Sequence, residues 1–360
     1  MLGHPPFPNT PAWAALLLLL LLLSAVVACD LSTEPVDEDP PGPLGLRNDP
    51  VPELESIDVS LLGGDRIAFH RAYKDDAAVG IYVVNGATGA VRGHLGGSLL
   101  SHPAVSPDGQ MVAFKTLSPF VSGQDVTFWD IYASGLGGEG LVQVAAFPGN
   151  VEGPPAWTPD GRLLFSIRSQ NLVGTTLYEQ SPVEGPGDRR QVHRFTSSGE
   201  YVWDLRDHVP ARANDGTIAV LGSGLANRGI HVRSPLTGQL TRVYHGVEAP
   251  HARALAFSPD GGSLAFLAWD DDRTYVSVLD LAADAIHELG SVEGSLDITL
   301  SPGNDWSICW TTSGERIVFT APTLGTMSAH VHVVRADGSE PPARLTTAPE
   351  VVDRSVSCLA

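Results

Sequence analysis

The sequence predicts an all-β fold, a six-bladed β-propeller of four-stranded blades. Two observations predict it. A turn phrase recurs in Val105-Ser106-Pro107-Asp108-Gly109, Trp157-Thr158-Pro159-Asp160-Gly161 and Phe257-Ser258-Pro259-Asp260-Gly261. Around each copy, short apolar segments come in a constant order. Pro presets φ for a turn position and Gly accepts positive φ, so the chain reverses within a few residues. Each phrase therefore joins the end of one strand to the start of the next.

The repeat can be counted. Weaker turn copies lie at Gly63-Gly64, Asp215-Gly216 and Ser313-Gly314, which gives anchors at Gly64, Gly109, Gly161, Gly216, Gly261 and Gly314. Successive anchors are 45, 52, 55, 45 and 53 residues apart. A second strand follows each anchor and ends on an apolar residue: Phe69, Phe114, Phe165, Val220, Phe266 or Phe319. A third strand comes next, as in Ile81–Val84, Ile230–Val232 and Tyr275–Leu279, and a fourth, as in Leu141–Ala145, Leu240–Tyr244 and Ala343–Thr346. Four short strands per unit of about 40–50 residues is the pattern of a propeller blade. A sandwich also uses tight turns, but it gives no reason for six anchors at one place in a four-strand pattern.

The blades resemble the TolB-like propeller repeat, in which an inner strand carrying an aromatic leads into Ser-Pro-Asp-Gly and a strand ending in Phe. Trp157, Phe257 and Trp310 hold the aromatic position, and Val105 and Arg212 depart from it. The resemblance covers residues 53–360. It implies fold strongly and function weakly, because one fold hosts many functions.

The domain reading is a signal peptide over 1–28, a lipidated Cys29 with a disordered linker to 52, and the propeller over 53–360. Ala12–Ala28 carries no charge and contains eight consecutive leucines. Val26-Val27-Ala28-Cys29 resembles the lipobox of bacterial lipoproteins, so Cys29 is the expected lipidation site. A plain signal peptide cleaved after Ala28 and an uncleaved anchor helix are the alternatives. The first basic residue is Arg47, unusual for a secretion signal and a reason to leave the start of the chain open. Asp30–Pro52 is acidic, rich in Pro and without aromatics, a composition that does not build a core. The expected location is extracytoplasmic, anchored to a bacterial membrane through lipid alone.

Net charge is −19 and the only lysines are Lys74 and Lys115. Such a chain lacks the basic patch that neutralises phosphates, so nucleic acid is not an expected partner. Two cysteines remain after Cys29. Cys309 and Cys358 both sit near the ends of inner-strand segments, where a disulfide is conceivable in an oxidising compartment. Buried free thiols are the alternative. For closure of the ring, Asp353–Cys358 is the expected inner strand beside Arg66–Phe69, with Ser56–Ser60 as its rival.

The candidate site is a rim on the face opposite the Pro-Asp-Gly turns. Counting back five residues from the end of each inner strand gives Glu152, Asp207, Asp305 and Asp353, with Leu100 and Ala252 as exceptions, and one residue later come His208, Arg253, Trp306 and Arg354. Such acids commonly accept N–H bonds in their own turns. The functional alternative is a charged rim for a ligand, a cation or a basic protein segment. His208, His245 and His251 are candidates for a base or a metal ligand. Gly-x-Ser-x-Gly, His-Glu-x-x-His and Cys-x-x-Cys do not occur, and no cofactor is expected. The sequence favours a monomeric propeller that binds an envelope protein. A ligand- or metal-binding propeller, or a lyase or hydrolase acting on sugars in the channel, stands as the alternative.

Overall fold

The structure is a computed structural model that describes residues 57–73, 80–92, 101–117, 129–147, 150–169, 174–196, 209–222, 229–244, 251–270, 272–294, 306–323, 328–348 and 351–359. The signal peptide, Cys29 and the linker lie outside the described residues. The first repeat supplies β1 (Arg66–Tyr73), β2 (Gly80–Asn85) and β3 (Val91–Arg92). The second has β4 (Ser101–Val105), β5 (Met111–Leu117), β6 (Trp129–Gly135) and β7 (Val142–Ala145). In the third, the inner strand is split into β8 (Asn150–Glu152) and β9 (Ala156–Trp157), before β10 (Leu163–Ser169), β11 (Gly174–Gln180) and β12 (Arg190–Thr196). The fourth has β13 (Ala211–Arg212), β14 (Ile218–Gly222), β15 (Gly229–Arg233) and β16 (Leu240–Tyr244). The fifth has β17 (His251–Phe257), β18 (Ser263–Trp269), β19 (Arg273–Asp280) and β20 (Ala285–Glu293). The last has β21 (Ile308–Trp310), β22 (Arg316–Pro322), β23 (Ala329–Arg335) and β24 (Ala343–Arg344), and β25 (Val351–Leu359) ends the chain.

The expectation of six separate blades is corrected. The described strands form four separate sheets, one each from the second to fifth repeats, and one eight-stranded sheet. The cause is ring closure. β25 pairs antiparallel with β1 from Arg66–Leu359 to Tyr73–Val351 and also meets β23 at a single parallel bridge, Ala329–Val352. Strands of the first and last repeats therefore share a sheet. The C-terminal segment supplies the closing strand, whereas Ile57 bridges Thr346 beyond β24. Closure in this way covers edges that would otherwise template pairing with other chains.

The turns explain the repeat. All six anchor glycines have positive φ, from 70° at Gly109 to 97° at Gly64. A side chain there would be strained. In five of the turns the anchor N–H donates to the carbonyl three residues back, for example Gly109 to Ser106 at 2.8 Å and Gly261 to Ser258 at 2.8 Å. The Asp of the phrase locks the loop: Asp108 accepts from the Ser106 hydroxyl at 2.5 Å and the Gln110 N–H at 3.0 Å.

The middle strands are apolar on both faces because neighbouring sheets cover both; β22 is buried from Ile317 to Ala321. Phe69, Phe114, Phe165 and Phe319 are fully buried. Six apolar clusters result, each joining one repeat to the next, including a cluster of Ile67, Phe69 and Val356 with Val318 and Val331 that joins the first repeat to the last. The outer strand β20 shows three exposed residues in a row, Ile286, His287 and Glu288.

Cys309 of β21 and Cys358 of β25 form a disulfide across that closing seam, with Cα atoms 5.6 Å apart. Replacing both cysteines by Ser is expected to lower stability by about 2–4 kcal/mol, measured by denaturant unfolding. Deleting 351–360 is expected to lower the melting temperature far more, because β1 and the last apolar seam lose their partner strand. An unchanged melting temperature would contradict closure by β25.

Candidate functional site

The inner strands surround an axial cavity of about 450 Å³. Its wall comes from β4, β9, β13, β17, β21 and β25, one inner strand from each repeat. The last inner-strand position before each turn is occupied by Val105, Trp157, Arg212, Phe257, Trp310 and Cys358, and four of these reach across a seam to the preceding repeat. Trp157 Nε1–H donates to the Ala104 carbonyl at 2.7 Å, and Trp310 Nε1–H to the Ala256 carbonyl at 3.0 Å. Arg212 donates to Asp160 at 2.7 Å, and Cys358 is bonded to Cys309. One repeat position thus stitches neighbouring repeats around the axis with different chemistry each time.

Two residues earlier the wall is apolar: Pro103, Pro155, Pro210, Leu255, Ile308 and Val356 all line the cavity. One residue before those, His102 and Ser355 have φ of 50°. They are two of the three non-glycine residues with positive φ among the described residues. Both lie where the inner strand bulges against its neighbour, and β17 bulges at the same level. Bulges re-aim side chains, and strained backbone concentrates at functional sites. Sequence reasoning did not identify this wall. Its signal was the proline repeated two residues before the strand end, at 103, 155 and 210.

The acidic rim is corrected at two positions. Asp353 and Arg71 are both fully buried and form a two-pronged ion pair, Nε to Oδ1 at 2.6 Å and Nη2 to Oδ2 at 2.8 Å. Glu152 is fully buried, and its Oε1 accepts the Phe147 N–H at 2.9 Å. Burial, reinforced by the charge of Asp130, pushes the Glu152 carboxyl up to about 8. These acids stand inside the protein and are not a solvent-facing rim. Trp306 is 7% exposed and lines the cavity. Arg354 is partly buried on β25 opposite His70. Arg253 belongs to β17, and its side chain is not among those described. Asp207, His208, Asp305 and His245 lie outside the described residues, as does the side chain of His251.

Near the Arg71–Asp353 pair, His330 and His332 of β23 are buried, and Arg344 contacts His330 Nε2. Burial, with the Arg344 charge, holds His330 down at about 3 and His332 down at about 4. Both rings are neutral at pH 7. The described residues contain no group of three or more His, Cys, Asp or Glu placed to hold a metal ion.

Exposed carboxylates instead surround the other mouth. Asp108, Asp160, Asp215 and Asp260 are exposed in the turns, and Pro107, Pro159, Asn214, Pro259 and Thr312 of the same turns edge the cavity. The Ser106 hydroxyl and Gln110 N–H hold Asp108 below the usual carboxylate range, and the Ser258 hydroxyl and Gly262 N–H do the same for Asp260. Asp108 and Asp260 therefore carry full negative charge at neutral pH.

No protein-family model matches the chain, and no curated protein does. Solved structures do match. TolB from Acinetobacter baumannii superposes with a TM-score of 0.61 at 15% identity, over 82% of this chain and 67% of that one. A protein of unknown function from Bacteroides caccae gives 0.51 at 11% identity, over 82% and 98%. A putative TolB from Agrobacterium tumefaciens gives 0.49 at 14% identity, over 82% and 99%. The chain has a TolB-like β-propeller fold.

Two outcomes follow from the buried acids. Glu152 has a folded-state pKa above its unfolded value, so its contribution is fully favourable below about pH 4.5 and is lost as pH rises through about 8. Glu152→Gln is therefore expected to flatten the pH–stability profile and to exceed the parent at pH 9 by about 3 kcal/mol in urea unfolding. Removing Asp353 leaves Arg71 charged in the interior, so Asp353→Ala is expected to cost about 3–5 kcal/mol. A loss below about 1 kcal/mol, the scale of an exposed pair, would show that the pair is solvated.

Proposed function

We propose that this TolB-like propeller is an extracytoplasmic binding module, lipidated at Cys29 and tethered to a bacterial membrane, that holds another protein of the cell envelope. The observation that carries the reading is the turn face. An apolar axial opening edged by Pro107, Pro159 and Pro259 is surrounded by the exposed charges of Asp108, Asp160, Asp215 and Asp260. Val183 and Leu236 are 81% and 95% exposed, in the turns after β11 and β15. In an up-and-down blade those turns share the face of the Pro-Asp-Gly turns. A face of this kind suits a partner segment with basic residues around an apolar tip. The chain's net charge of −19 would speed encounter with it.

The linker Asp30–Pro52 supports the same reading. At about 3.1 Å per residue when extended, it would let the propeller search roughly 70 Å from the bilayer. The partner then need not touch the membrane itself.

A pull-down from envelope extract with the full chain tests this, beside an Asp108→Asn/Asp215→Asn/Asp260→Asn variant. Asn keeps an acceptor oxygen for each turn and removes the charge. A basic protein is expected on the parent, weakened about tenfold by the triple change and by raised salt. Equal capture by both would move the partner off the turn face. Absence of any captured protein would contradict the binding-module reading.

A further inference from the structure

Cys309 and Cys358 both line the axial cavity, and neither is fully buried. Cys358 holds the position in β25 that Trp310 holds in β21, and Cys309 immediately precedes Trp310. The bond between them therefore lies at the turn-side end of the lumen, beside the mouth edged by Pro107, Pro159, Pro259 and Thr312. Each cysteine also packs on the apolar cluster that joins the first repeat to the last. From this placement we propose that Cys309–Cys358 is a redox site, reduced and re-formed in the folded protein by small thiols and disulfides that enter through the turn mouth.

The closing strand does not depend on the bond for its place. β25 is held by β1 from Arg66–Leu359 to Tyr73–Val351 and by the buried Arg71–Asp353 pair. β21 pairs with β22, and no ladder joins it to β25 among the described residues. Opening the disulfide thus removes a staple between two strands and leaves the sheet pairing of each intact. The exchange balances without a further reagent. A thiolate RS⁻ attacks one cysteine sulfur, forms a mixed disulfide and expels the other cysteine as a thiolate, which takes up a proton. A second RS⁻ attacks the R sulfur of the mixed disulfide and frees the remaining cysteine. Two thiols are oxidised to RSSR, and the cysteine pair gains two electrons and two protons. Oxidation runs through the same steps in reverse, with a small RSSR as the oxidant.

Size and charge set which thiols take part. A lumen of about 450 Å³ admits a small molecule and shuts out a folded oxidoreductase. Asp108 and Asp260 are ionised in the turns that edge the mouth, and the whole chain carries a net charge of −19. A cationic thiol is therefore enriched at the entrance and an anionic one repelled. This inference stands or falls without the partner-binding reading.

The test follows reduction of the full chain in detergent by cysteamine and by mercaptoacetate, read by mass at the peptides that carry Cys309 and Cys358. Each rate is taken relative to the same thiol acting on hydroxyethyl disulfide, which removes intrinsic reactivity. Reduction by cysteamine is expected to stay nearly flat in urea below the unfolding transition. Cystamine added to the folded, reduced chain is expected to re-form the bond. At low salt cysteamine is expected to react about tenfold faster than mercaptoacetate, with the gap closing as salt is raised and in Asp108→Asn/Asp260→Asn. A reduction rate that climbs in urea with the slope of global unfolding would show that the sulfurs are reached only by unfolding, and would overturn the proposal. Equal rates for the two thiols at low salt, or a gap left whole by the Asn changes, would overturn entry through the turn mouth. If that variant fails to fold, the urea and salt dependences of the parent still decide.

Discussion

Closure of the ring is the constraint on which the other features depend. Each repeat presents apolar side chains on both faces of its sheet, so none can stand alone, and each needs a neighbour on either side. The first and last repeats find theirs only if the chain's end returns to its beginning. β25 does this by pairing with β1 along its length, and the Cys309–Cys358 bond holds it to β21. Because β25 also touches β23, the closing seam is a continuous sheet, whereas the other seams are side-chain contacts alone.

Closure also determines where charge can sit. Asp353 is carried by the closing strand into the first-to-last seam, where Arg71 on β1 meets it in the register that β25 imposes. The pair anchors the strand that closes the ring and is not displayed to a partner. Around the axis the same logic leaves a lumen walled by prolines and aliphatics, with charge held at the turn mouth.

Much of this was legible in the sequence. The Pro-Asp-Gly phrase fixed the turns, and the anchor glycines do adopt positive φ. The Phe after five of the six turns, with Val220 after the other, marked the buried second strand, and the approach to Cys358 marked the closing strand. The rim was not legible, for a definite reason. Counting back from the end of an inner strand assumes an unbroken alternation of faces. A bulge lies between Asp353 and Cys358, and Gly153-Pro154-Pro155 interrupts the strand between Glu152 and Trp157. One extra residue exchanges the faces, so acids counted onto a rim fall inside the protein. The merged sheet was equally hidden, since a single bridge between Ala329 and Val352 leaves no pattern in composition or spacing.

Hydrogen exchange of the backbone amides in 351–359 tests closure most directly. If β25 closes the ring, these amides should exchange only with global unfolding, as slowly as those of the central strands β18 and β19, although they end the chain. Fast exchange, at the rate of a fraying terminus, would contradict the closed ring.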